Sequence, residues 1–203
     1  NLRGAVYRDP GLTEAYMRLA AIMEGRGLWL DAVEFYNKAI ESAPERAEAY
    51  LELARIYIEH ERHRTGIGVL LRARAAVPAD TGVLIALARA YRRIGDRVSA
   101  IEQYRVAAEL TEGAERADCN VQIGDLCLEL DDLSGAFCYY RLAIEGGLEP
   151  TAPLYRRIAG VTDSLAQKGA ERAWDALESY VGGKPEAMER EDCLAGSHDG
   201  PID

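Results

Sequence analysis

The sequence predicts an all-α protein made of stacked antiparallel helical hairpins, and three observations carry that reading. The 203 residues are rich in Ala, Leu, Glu and Arg, all good helix formers, and no long alternating Val/Ile/Thr run supports a strand. Residues of matching size return at steps of 34, 34 and 36 positions along the chain. Pro44, Pro78 and Pro150 close stretches of that length.

The repeat is read column by column from segments beginning at Thr13, Ala47, Thr81 and Ala117. Large residues align as Tyr16, Tyr50 and Leu84, and as Leu19, Leu53, Leu87 and Ile123. Small residues align as Ala20, Ala54, Ala88 and Gly124, and in the second half of each unit as Ala32, Gly66, Ala100 and Ala136. Tyr36, Leu70, Tyr104 and Tyr140 form a bulky column, followed by Ala39, Ala73, Ala107 and Ala143. Small side chains let two helices approach and large ones fill the space beside them. Each hairpin then leaves an apolar face that only its neighbour covers.

This pattern resembles the tetratricopeptide repeat family, a 34-residue helix–turn–helix with large, small, aromatic and Pro positions at these offsets. The resemblance implies a right-handed α-solenoid and four repeats at 13–46, 47–80, 81–116 and 117–150. Helices are expected near 13–25, 29–42, 47–60, 65–76, 81–94, 97–110, 116–130, 133–145, 151–168 and 170–181. The second unit departs from the pattern with His60-Glu61-Arg62-His63 at its turn and Gly66 and Gly68 in its second helix. Each interior Gly costs about 1 kcal/mol against Ala, so this hairpin is expected to be the softest. The third unit carries a two-residue insertion near Thr111-Glu112-Gly113 and lacks a terminal Pro.

Beyond the four units, residues 151–181 read as a degenerate or capping hairpin, with looser matches at Tyr155, Ile158, Ala173 and Leu177. Residues 1–12 read as the second helix of a truncated preceding repeat, since Pro10 and Ala5 lie 34 positions before Pro44 and Ala39. Its apolar face (Leu2, Ala5, Val6) lacks a partner helix, which makes self-association plausible. Residues 182–203 read as an acidic solvated tail with room for a short helix after Pro185. Through Glu186, Glu189 and Glu191 that tail could act as a removable plug on a basic groove.

The net charge of −10 argues against a nucleic-acid backbone or an anionic membrane as partner. No apolar run approaches the roughly 20 residues of a membrane span. Four cysteines at 119, 127, 138 and 193 match neither a zinc site nor a CxxC pair, so a reducing, cytoplasmic setting is expected, with a periplasmic or envelope-associated one as the alternative. Glu59, His60 and His63 read as a polar turn, and Asp131-Asp132 as a turn leading into a helix N-terminus. No nucleophile–His–acid set or phosphate loop is visible. The chain is expected to be no enzyme and to need no cofactor and no metal.

Tetratricopeptide arrays are similar in lining a concave groove with the inner faces of their first helices. Carried over position by position, that gives three rows: Met17, Leu51, Ile85, Val121; then Ala21, Arg55, Arg89, Asp125; then Glu24, Ile58, Arg92, Leu128. The first row is apolar at positions outside the core, and Arg55, Arg89 and Arg92 add a basic patch. Together they imply a protein partner presenting an acidic and apolar peptide or helix. The subclass that clamps a C-terminal carboxylate uses Lys and Asn at such places, where this chain has Met17, Ala21, Leu51 and Glu52, which speaks against a chaperone-adaptor role. A protein-binding scaffold is thus the first expectation. A self-assembling scaffold, or the adaptor part of a larger enzyme or complex, is the alternative.

Overall fold

The 34-residue period becomes two helices and a tight turn, as a small-residue column on each helix demands. A computed structural model describes residues 10–146 and 152–167. Its helices run α1 Pro10–Gly25, α2 Trp29–Ser42, α3 Ala47–Glu59, α4 His63–Ala76, α5 Thr81–Arg93, α6 Arg97–Leu110, α7 Gly113–Glu129, α8 Leu133–Glu145 and α9 Ala152–Gln167. No strand occurs among the described residues. The lead-in helix before Pro10, the helix at 170–181 and the acidic tail with its Cys193 lie outside the described residues.

The chain divides into two compact units, Asn1–Gln103 and Tyr104–Asp203. In the first, hairpins α1–α2 and α3–α4 and the helix α5 pack in sequence order. The small columns do what their size allows: Ala20, Ala32, Ala54, Ala73 and Ala88 are all buried, with Tyr36, Leu53, Leu70 and Leu87 filling between them. Thr13, itself buried, exchanges a 2.8 Å hydrogen bond with Ser42 and ties the open end of the first hairpin. In the second unit Ala107, Ala136 and Ala143 play the small part, and Tyr104, Ile123, Leu126 and Tyr140 the large one.

The turns share one conformation. Gly27, Glu61, Gly95 and Asp131 stand 34, 34 and 36 positions apart, and all have positive φ, at 76°, 60°, 82° and 60°. The turn column is therefore a left-handed position that Gly fills at low cost and that Glu61 and Asp131 fill under strain. Helix starts are unevenly capped. The Asp80 carboxylate accepts from Val83 N at 2.8 Å, Asp96 from Ser99 N at 3.1 Å, and Asp132 from Gly135 N at 2.9 Å. Arg62, ahead of α4, offers no side-chain cap.

Three details depart from the sequence reading. α1 begins at Pro10, three residues ahead of the expected start near 13, because a helix tolerates Pro at its first position, where no N–H is needed. The inserted residues lengthen α7 at its start, so it begins at Gly113. Leu19 is exposed, while its counterparts Leu53, Leu87 and Ile123 are buried. Leu53 on α3 and Leu87 on α5 sit in helices packed on the second helix of the preceding repeat.

Candidate binding face

The first helices of the first unit bring the three predicted rows to their surface. Met17, Leu51 and Ile85 are each half-buried, and Met17 and Leu51 lean on the core while keeping part of their surface open. Leu51 reaches toward the next repeat at Gly82, where an added Cβ would stand 3.8 Å from its Cδ1. Ala21 and Arg89 are exposed, and Glu24, Arg55, Ile58 and Arg92 half-buried. Ile58 leans over Gly66, where a Cβ would fall 2.8 Å from Ile58 Cγ1, so this interior glycine permits a close approach. Gly68 has nothing within 4 Å and serves no such purpose.

Arg55 does not stand as an open cation. Its Nη2 donates to both oxygens of Glu24 at 2.7 and 2.8 Å, its Nη1 to both oxygens of Glu59 at 2.9 Å, and its Nε to Glu52 at 2.8 Å. Partial burial alone would lower its pKa, but the bonds from Glu24, Glu59 and Glu52 outweigh it and raise the value above the ordinary guanidinium range. The burial of Tyr36, then the charges of Glu52 and Glu24, hold that phenol above its ordinary value too. One arginine answering three glutamates leaves this stretch acidic. The basic character of the face therefore rests on Arg89, which pairs with no described residue, and on its neighbours Arg92 and Arg93. The Glu52–Arg55–Glu59 spacing on one helix is visible in sequence; the reach from Glu24 needs the stacking register of two repeats.

In the second unit Val121, Asp125 and Leu128 hold the corresponding places on α7, all half-buried. Asp125 is the organising charge. It accepts the Tyr140 hydroxyl at 2.7 Å and pairs with Arg157 of α9 at 2.9 Å. Burial first, then the Asp125 hydrogen bond and charge, raise the Tyr140 phenol well above its ordinary value. The Tyr140 ring lies so close to Gly124 that an added Cβ would come within 2.6 Å of it. Arg157 was missed in the sequence reading because the loose match of the fifth hairpin hides its register.

The remaining candidates have plain structural roles. His60 stacks on Trp29 with ring centroids 4.4 Å apart, and Arg62 sits 5.6 Å over the same indole. Asp131 forms the left-handed turn and Asp132 caps α8, as their position suggested. Cys119, Cys127 and Cys138 are buried thiols. Burial and the Asp132 carboxylate push the Cys127 thiol up to about 12. Among the described residues no three His, Cys, Asp or Glu side chains gather as a metal would require, and no helix is long and apolar enough to cross a membrane.

No protein-family model matches the sequence, and no curated protein does. Solved structures share the fold. A crystal structure of MamA superposes with a TM-score of 0.58 and 25% identity, over 68% of this chain and 80% of that one. Another MamA structure gives 0.63 at 18% identity, over 88% of this chain and 98% of that one. A 41-end form of MamA from Desulfovibrio magneticus RS-1 gives 0.54 at 20% identity, over 66% and 74%. The last two, at such identity, speak to fold alone.

Proposed function

We propose that this tetratricopeptide-type repeat protein is a non-catalytic scaffold whose first-helix face holds a segment of another protein. The observation that carries the reading is the aligned, half-buried row Met17, Leu51 and Ile85, with Val121 at the same place in the second unit. Half-open apolar side chains repeated at one register offer successive contacts to an extended or helical segment. Arg89, exposed beside that row, supplies a cation for an acidic residue of the segment. We place this function in a reducing compartment, the cytoplasm, in keeping with the buried thiols.

Affinity purification with the wild type and Arg89→Glu tests the reading. The reversal should leave folding nearly unchanged, since an exposed charge alters stability by no more than about 0.5 kcal/mol. Partners retained by the wild type should be lost or weakened, because the contact is both removed and reversed. Equal retention of every partner would refute the role of this face.

A second reading, self-assembly, is favoured by α1. Leu12, Leu19 and Ile22 are exposed at spacings of seven and three residues, which places them along one side of that helix. Light scattering across a concentration series separates the readings. Concentration-dependent growth that Leu19→Glu/Ile22→Glu abolishes supports assembly, and a monomer that retains one partner supports the binding module.

A further inference from the structure

The large-residue column that holds Tyr16, Tyr50 and Leu84 is occupied in the fourth repeat by Asn120. Asn120 is only 7% exposed, and its side chain makes no hydrogen bond to a described residue. Its amide atoms are not among the enclosed polar atoms that lack a partner, so they keep surface open and can bond a ligand there. The smaller side chain also leaves space. A cleft of about 410 Å³ opens beside it, walled by one face each of α6, α7 and α8. That size falls within the roughly 300–1,000 Å³ typical of small-molecule sites.

The wall is built by the insertion that distinguishes this repeat. The first turn of the lengthened α7 carries Arg116, whose Nε donates to Ala108 O at 3.1 Å and Thr111 O at 2.8 Å. Thr111 in turn donates to Ala107 O at 2.9 Å. These bonds satisfy carbonyls at the end of α6 and fix Arg116 at the cleft, where its terminal nitrogens make no bond to a described residue. Arg105, half-buried on the α6 wall, also pairs with no described residue. The acids do not answer these cations. Glu145 pairs with Arg141 at 3.4 Å, and Glu109, four residues along α6 from Arg105, is exposed and forms no ion pair with it. Ile123 and Leu142 make the apolar part of the lining.

We propose that this cleft binds a carboxylate carried on a short apolar stem, with Arg105 and Arg116 meeting the charge, the Asn120 amide donating to it, and the stem lying against Ile123 and Leu142. Two arginines and two glutamates line the cleft, but Arg141 already answers Glu145, so Arg105 and Arg116 with open donors face the single exposed Glu109. With the Asn120 amide and an apolar floor they select that chemistry over an amine or a neutral amide. The site is separate from the first-helix face, since Asn120 and Arg116 lie on a different side of α7 from Val121, Asp125 and Leu128. It stands whether or not that face binds a protein.

The test is NMR titration of the full chain with hexanoate, hexanamide and hexylammonium, following the Asn120 side-chain amide and the backbone amides of the cleft residues Ile123 and Leu142, the latter two being the readout in Asn120→Leu. Hexanoate should give a saturable shift and the other two should not. Arg105→Gln should weaken hexanoate roughly tenfold, as expected for one charge-assisted contact. Asn120→Leu, which restores the residue type of Leu84, should abolish binding. Should that variant fold poorly, the Arg105→Gln comparison decides alone. No saturable shift with hexanoate, equal response to the three probes, or unchanged affinity in Arg105→Gln would overturn the proposal. A blocked Leu-Glu dipeptide locates the source of the carboxylate. Tighter binding than hexanoate assigns it to a protein side chain, and weaker binding to a free small acid.

Discussion

Tyr140 donates its hydroxyl to Asp125 at 2.7 Å while its ring rests on Gly124, so one side chain links the two helices of the fourth repeat by both a polar and a close apolar contact. Asp125 is shared with Arg157 of the next helix, which carries the link across a repeat boundary. Tyr140→Phe should keep the packing and lose the bond, at a cost of about 1.5 kcal/mol, the low end for a hydrogen bond to a charged group because Arg157 also answers Asp125. Gly124→Ala should cost more, about 1–3 kcal/mol, because the ring must move. Thermal or urea unfolding of the two variants checks the order.

Strain at the turn column gives a prediction of opposite sign. Glu61 is exposed, has φ of 60° and occupies the place of Gly27 and Gly95. Glu61→Gly should therefore stabilise by about 1 kcal/mol, the left-handed penalty less the entropy that Gly loses. In the same hairpin Gly68→Ala should stabilise by a similar amount, about 0.5–1 kcal/mol, and Gly66→Ala should destabilise by its contact with Ile58. An unfolding midpoint that falls in Glu61→Gly would remove strain as the account of that turn.

The alkaline limb of stability should be steep. In the unfolded chain the Cys127 thiol titrates near its ordinary value of 9.0, whereas in the native protein burial and Asp132 hold it to about 12. Between those values the unfolded state binds fewer protons, so stability falls as pH rises, by on the order of 1 kcal/mol per pH unit for such a group. Tyr140, also raised, adds to the loss above its ordinary value of 10.0. Urea midpoints from pH 8 to 11 should drop, and less so in Cys127→Ala relative to its own neutral value. At neutral pH a thiol reagent should modify Cys127 only after unfolding, because the thiolate is the reactive form.

Removing the cation from the glutamate cluster should expose the repulsion it hides. Arg55→Met leaves Glu24, Glu52 and Glu59 facing one another, and we expect a loss of about 1 kcal/mol at low salt, discounted because the group is more than a third exposed. Added salt should shrink the difference. A loss indifferent to salt would assign the effect to packing of the Arg55 stem.

Much of this was legible in the chain. The small columns through Ala20, Ala54 and Ala88 and through Ala32 and Ala100 mark where helices touch, and helix bounds such as Trp29–Ser42 and Leu133–Glu145 follow from them. The turn at Glu61 was harder, since a glutamate does not advertise positive φ; only its alignment with Gly27 and Gly95 does. The basic patch was partly misjudged at Arg55, whose partner Glu24 lies 31 residues away and is brought close by stacking. Asn120 stood in plain sight as a polar residue in a large apolar column, but the cleft beside it depends on the inserted turn and on Arg116 folding back onto α6.

The binding face is tested most directly by site-specific photo-cross-linking in cells of the source organism. A photoreactive residue at Ala21, exposed between Met17 and Glu24 on α1, is compared with one at Glu102, exposed on the second helix α6. The account predicts a discrete cross-linked product from position 21, either with another protein or with a second copy of this chain, and little from position 102. Cross-links from position 102 alone, or none from either, would contradict the claim that the first-helix face holds a protein.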